Sequence, residues 1–215
     1  MKKVAFVCYF FAPHNDAGTF RSVRFAERLL AHNYLPEVYS ITEDSIKKFG
    51  GKLDHTIGVN LSKEIIINQI DDHQKRINQW RKIKLFRIPW TFNHLKYIDA
   101  CSEWSREVAE QLKVKIENSE FDLVYVSCAP VSAAYEFSKL KEKIDFRLVI
   151  DFRDPYTDSY SHFPGKIAWR KARYAERYIV NKCDCLIVNT PEVQKTFVSR
   201  YPNFSNKIKV ITNGY

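Results

Sequence analysis

Seven short apolar runs alternate along this chain with stretches of helical periodicity, and that alternation constrains the fold more than any other feature. The runs are 4–11, 37–42, 64–69, 122–128, 147–152, 185–190 and 207–212. A strand with one wet face alternates apolar and polar residues. Val124-Tyr125-Val126 and Leu186-Ile187-Val188 do not alternate, so both of their faces are covered. Between the runs, Val23, Ala26, Leu29 and Leu30 mark one amphipathic helix, and Ile98, Cys101, Ser105, Val108 and Leu112 mark a long one near 95–118. A third, at 166–182, turns Ala168, Ala172, Ala175 and Ile179 inward, while Lys166, Arg170, Lys171, Arg173 and Arg177 mostly face out. Strands alternating with helices predict an α/β protein built on a doubly wound, Rossmann-like parallel sheet of about seven strands. Two stretches break the rhythm: 43–63, an irregular excursion, and 71–94.

The expected organisation is a single domain over residues 1–215. A hydrophobic content of 45% is enough for a sizeable core, and the net charge of +9 favours anionic partners. Five cysteines without a CxxC pair fit reduced thiols in a cytoplasmic setting and supply no structural zinc site. The apolar start after Lys3 has no A-x-A cleavage site and reads as a buried strand. No run approaches the ~20 apolar residues that span a bilayer, which leaves a soluble chain or one seated on a surface.

In open parallel sheets, ligands bind outside the carboxyl ends of the strands. That rule selects three loops: 13–19, 128–132 and 153–158. The first, Ala12-Pro13-His14-Asn15-Asp16-Ala17-Gly18-Thr19, offers Gly18 at a helix start, where free N–H groups and the positive helix end suit an anion or a polyol. The plain alternative is a glycine that merely permits a turn. Neither G-x-G-x-x-G nor G-x-x-x-x-G-K-[ST] occurs, so dinucleotide and P-loop readings fail. His14 lies in this loop and reads as a solvent-facing histidine within reach of a substrate.

The third loop gathers Asp151, Arg153, Asp154 and Asp158 at the end of an apolar strand. A metal site is disfavoured, because Arg153 separates the carboxylates and no third ligand is evident. An acidic receiver site lacks a matching acidic pair after the first strand. What remains is a general base or hydroxyl-binding carboxylate at Asp154, or a structural Arg–Asp pair. Residues 75–90 hold Lys75, Arg76, Arg81, Lys82, Lys84 and Arg87 among Ile77, Trp80, Ile83, Phe86 and Trp90. Basic and aromatic residues so mixed suit an interfacial helix on anionic lipid, with Trp80, Arg81, Lys82, Lys84, Phe86 and Arg87 at the membrane surface. The alternative is an aromatic stripe docked on the protein's own core. Nucleic acid is not expected, since no recognised binding module accompanies the charge.

The ordered segments AGTFRSVRFAERLL, DFRDPYTD, AERYIVNKCDCLIVNTPE and KVITNGY together resemble the N-terminal half of family 4 retaining glycosyltransferases of the GT-B type. DFRDPY is similar to the D-x-R-D-P-W/Y segment of a subgroup that builds bacterial capsule, O-antigen and exopolysaccharide. Glu176, Asp184 and the NTPE that follows resemble the family's E…aD…vNTpe pattern, and TNGY resembles its N-G-[hydrophobic]-D crossing. Two departures stand out: Ala17-Gly18 replaces a common Gly-Gly, and Ser127-Cys128-Ala129-Pro130 stands where some members carry a histidine.

The resemblance implies one half of a GT-B fold, the acceptor side. The half that holds the sugar nucleotide through an E-x7-E motif is absent from the sequence up to Tyr215, so these residues alone are expected to be inactive. It implies transfer of a hexose from a nucleotide-sugar donor to a glycan or lipid-linked acceptor, with no cofactor and no metal. Gly18 would lie near the donor phosphates. Arg153 would line the acceptor side with Asp151 and His14, and Asp154 would hold or deprotonate the attacking hydroxyl. Asn213 and Gly214 would form the hinge edge, and 75–90 would seat the protein on the inner face of the plasma membrane. The competing reading is a non-catalytic membrane-recruiting subunit of a two-chain transferase.

Overall fold

The computed structural model describes residues 1–73, 98–158 and 166–213. All seven expected strands are present: β1 (Lys2–Val7), β2 (Tyr34–Ile41), β3 (Ile66–Ile70), β4 (Leu123–Cys128), β5 (Leu148–Phe152), β6 (Cys185–Val188) and β7 (Ile208–Val210). They form one parallel sheet in the order β3-β2-β1-β4-β5-β6-β7. The order reverses between β1 and β4, and their carboxyl ends define the crevice where such sheets bind ligands. The first strand is shorter than its apolar run suggests. Residues 8–11 leave the ladder, yet Cys8 and Phe11 stay buried, so burial extends past the pairing.

Alternate residues of β1 feed two cores. Val4, Phe6 and Cys8 pack with Val23 and Ala26 on one face; Ala5, Val7 and Tyr9 pack with Trp104, Val108 and Leu112 on the other. The helices are α1 (Ala17–Ala31), α2 (Glu43–Lys48), α3 (Ser102–Glu117), α4 (Val131–Lys141), α5 (Lys166–Lys182) and α6 (Pro191–Arg200). A 3₁₀ turn at Pro202–Lys207 leads into β7. The short α2 lies inside the irregular excursion, capped by the Thr42 side chain, which accepts from Ser45 N. The helix expected from residue 95 starts at Ser102, and α5 spans the bounds expected for it.

Among the described residues, no helix is long and apolar enough to cross a membrane. Trp80, Arg81, Lys82, Lys84, Phe86 and Arg87, the expected membrane-surface residues, lie outside the described residues, as does Gly214.

Candidate active site

Strand register sets out the site. Ser127 pairs with Asp151 and Cys128 with Phe152, so β4 and β5 end side by side and deliver Arg153 and Asp154 to the carboxyl edge. Arg153 folds back over that edge, its Nε donating to the Cys128 carbonyl at 2.8 Å. Its guanidinium lies 5.7 Å from the centroid of the Phe10 ring and directly against Gly18 at the start of α1. A Cβ on Gly18 would overlap the guanidinium, so the glycine makes room for a cation. The expectation of a free N–H at Gly18 is not met. Asp16 caps the helix, and its Oδ1 accepts from Gly18 N at 2.9 Å.

His14 packs beside this corner, its ring 5.2 Å from Phe10, so Phe10 is a floor shared by Arg153 and His14. The sequence suggested a solvent-facing histidine; the structure buries it. A two-residue bridge to Leu53 and a close approach to Gly51 fold the 43–63 excursion over the ring, and Nδ1 has no partner among the described residues. Burial pushes the imidazole's pKa down from 6.5, opposed by the nearby Asp16 charge.

Asp151 does not face the crevice. It is 0% exposed, and its carboxylate accepts from Arg21 Nε at 2.8 Å, Arg21 Nη2 at 3.0 Å and Tyr125 Oη at 2.6 Å. Burial, with the Asp151 charge adding to it, pushes the Tyr125 phenol well above its ordinary pKa, so it remains a donor. Arg21 also donates to Asn213 Oδ1 and to the Ile211 carbonyl, each at 2.9 Å. Asp151 is thus the buried member of a structural Arg–Asp pair, and Asn213 is reached through that pair. Asp154, two residues beyond the strand's end at Phe152, is exposed and makes no hydrogen bond or ion pair among the described residues.

The far end of the loop is clamped. Thr157 Oγ1 donates to Glu176 Oε2 at 2.7 Å, and Arg200 and Tyr201 donate to Glu176 Oε1 at 2.7 and 2.8 Å. Arg200 also pairs with Asp158, and Trp169 Nε1 donates to the Thr157 carbonyl at 3.0 Å.

The loop after β4 contains cis peptides at Cys128-Ala129 and Ala129-Pro130. Pro130 gives α4 no side-chain cap; Asp99 does so from a distance, accepting from Ser132 N at 2.8 Å and Ser132 Oγ at 2.6 Å. Burial pushes the Asp99 carboxyl up, opposed by those bonds. Sequence reasoning missed Arg21, Tyr125 and Asp99. Their partners lie 26 to 192 positions away, beyond any local pattern.

Chemically, the crevice offers one guanidinium at a helix N-terminus, one exposed carboxylate and a buried imidazole. The first suits an anion; the second suits a hydroxyl. Among the described residues, no cluster of three or more His, Cys, Asp or Glu is arranged to hold a metal ion. Burial pushes the Cys8 and Cys128 thiols far up, so neither supplies a ready thiolate.

This sheet, with its site at the edge where strand order reverses, is the architecture of one half of a GT-B fold. Anabaena HepE in complex with UDP-glucose shares it with a TM-score of 0.55 at 14% identity, covering 100% of this chain and 44% of that one. Arabidopsis thaliana UGT89C1 complexed with UDP gives 0.57 at 13% identity, covering 100% and 50%. The lipopolysaccharide outer core galactosyltransferase WaaB gives 0.50 at 15% identity, covering 99% and 46%. At such identities the likeness is one of fold, and this chain spans about half the length of each. No curated protein matches the sequence significantly. The sequence pattern of glycosyltransferase family 4 matches residues 68–215, more than half the chain, and the chain belongs to that family.

Proposed function

We propose that this chain is the acceptor side of a sugar transferase that moves a hexose from a nucleotide-sugar donor to a glycan or lipid-linked acceptor in bacterial surface polysaccharide synthesis. Family membership supports the reaction class, and HepE and UGT89C1 were solved with UDP-glucose and UDP. The observation that carries the reading is the corner at the carboxyl edge, where Arg153 lies against Gly18 and Asp154 stands exposed beside it.

In this reading the positive end of α1 at Gly18 faces the donor phosphates across the crevice, and Arg153 lines the acceptor side beside it. Asp154 holds or deprotonates the attacking hydroxyl, and His14 and Phe10 wall the pocket. Asn213 and Gly214 form the hinge edge. Asp151 acts at one remove by fixing Arg21 and the end of β5. No cofactor or metal enters; the nucleotide sugar is a substrate.

The test, on a protein in which these residues are joined to a nucleotide-sugar-binding half, is release of nucleoside diphosphate from a panel of nucleotide sugars in the presence of glycan and polyprenyl-phosphate acceptors. Asp154→Asn is expected to lower kcat by about 100-fold or more, the usual reach of a positioned proton acceptor, with an unchanged melting temperature. Full turnover in that variant removes Asp154 from the chemistry. A collapse in melting temperature makes it structural.

A further inference from the structure

Helix α5 carries six cations, Lys166, Arg170, Lys171, Arg173, Arg177 and Lys182, and one acid, Glu176. The acid points inward, 0% exposed and held by Thr157, Arg200 and Tyr201. The helix therefore shows no carboxylate outward. Its exposed residues are Lys166, Ile167, Arg170, Tyr174, Arg177 and Asn181. At 3.6 residues per turn they fall within an arc of about 100°. Lys166, Arg170 and Arg177 meet no carboxylate among the described residues. Beside them stand Ile167 and Tyr174, 68% and 62% exposed, on the same arc. On one flank, Arg173 joins Lys195, Thr196, Ser199 and Arg200 of α6 along a shallow groove that no acid lines.

We propose that this face of α5 docks on an anionic lipid surface. Three cations that meet no carboxylate among the described residues, on one face, match a sheet of phosphate headgroups, and each adds attraction without steric demand. The apolar pair decides between lipid and other polyanions. Against nucleic acid in water, Ile167 would stay hydrated and contribute nothing. At a bilayer interface, Ile167 and Tyr174 bury among the acyl boundary while the arginines reach the phosphates. Position adds a second argument. The Trp169 indole, in the first turn of α5, donates to the Thr157 carbonyl at 3.0 Å, in the loop that carries Arg153 and Asp154. A membrane against the exposed arc of α5 is therefore separated from that loop by one helix diameter, roughly 10 Å. This face is separate from residues 75–90, and its docking does not require the transfer reading to hold.

The experiment is vesicle co-sedimentation of the purified chain with phosphatidylcholine alone or mixed with phosphatidylglycerol. Two double variants accompany the wild type, Arg170→Glu/Arg177→Glu and Ile167→Ser/Tyr174→Ser, each checked for fold by circular dichroism. The wild type is expected to bind the mixed vesicles and not the neutral ones. Charge reversal is expected to weaken binding by about tenfold or more, since a single surface cation contributes roughly fivefold. The serine pair should weaken vesicle binding several-fold while leaving retention on immobilised single-stranded DNA unchanged. Equal binding to both vesicle types overturns the proposal, and so does wild-type vesicle binding by either variant. Equal loss from vesicles and DNA in the serine variant also overturns it. Because no sugar is involved, the docking result stands or falls independently of the transferase reading, which is tested by the turnover assay on the two-half protein.

Discussion

Arg21 shows how far one side chain can reach. Its guanidinium joins α1, the end of β5 and the segment after β7, and lies 4.5 Å from the centroid of the Phe25 ring. Removing one member of a buried pair leaves the other charged and unpaired, which costs about 3–5 kcal/mol. Asp151→Asn is expected to lower stability by that order, read as a fall in the urea midpoint. A loss below about 1 kcal/mol would show that water reaches the pair and screens it. At this scale the sequence was half legible. The strand-end rule brought out Arg153 and Asp154, because it needs only a strand and a direction. It grouped Asp151 with them although Asp151 points the other way. Spacing alone shows which side of a strand a residue takes but not which distant side chain waits there. Arg21, sitting 130 residues from its carboxylate, carried no local sign of burial.

The loop after β5 is a small structure clamped at both ends. Arg153 is tied to β4 at one end; Thr157 and Asp158 are tied to α5 and α6 through Glu176 and Arg200 at the other. Asp154 hangs between these anchors. Glu176→Gln replaces an acceptor-only group with one that must offer a donor to Thr157, so the far anchor loosens. Hydrogen exchange at 156–158 is expected to accelerate by about tenfold or more while the amides of β4 and β5 keep their protection. Uniform acceleration across the sheet would mean that Glu176 serves global stability instead. Strands and α5 were legible because apolar runs and a 3.6 period survive in the sequence. Helix α4 was not singled out, for its small residues Ser132, Ala133 and Ala134 give little contrast between faces. Its cap, Asp99, comes from outside the loop.

Across the molecule, stability should answer to pH through His14. Its folded pKa lies below 6.5, so between that value and the unfolded one the native state binds fewer protons than the unfolded chain. This contribution is complete above about pH 6.5 and is lost as pH falls toward the folded value. The melting temperature of the wild type is expected to drop more between about pH 7.5 and 5.5 than that of His14→Gln. Parallel slopes would mean that the imidazole takes up its proton without disturbing the excursion above it. The connection from Arg21 to Asn213 spans 192 positions. During translation at about 10 residues per second, that arginine waits some 20 seconds for its last partner. A nascent chain can assemble β1 to β6 in that interval, but its buried guanidinium stays only partly satisfied until Asn213 has left the ribosome.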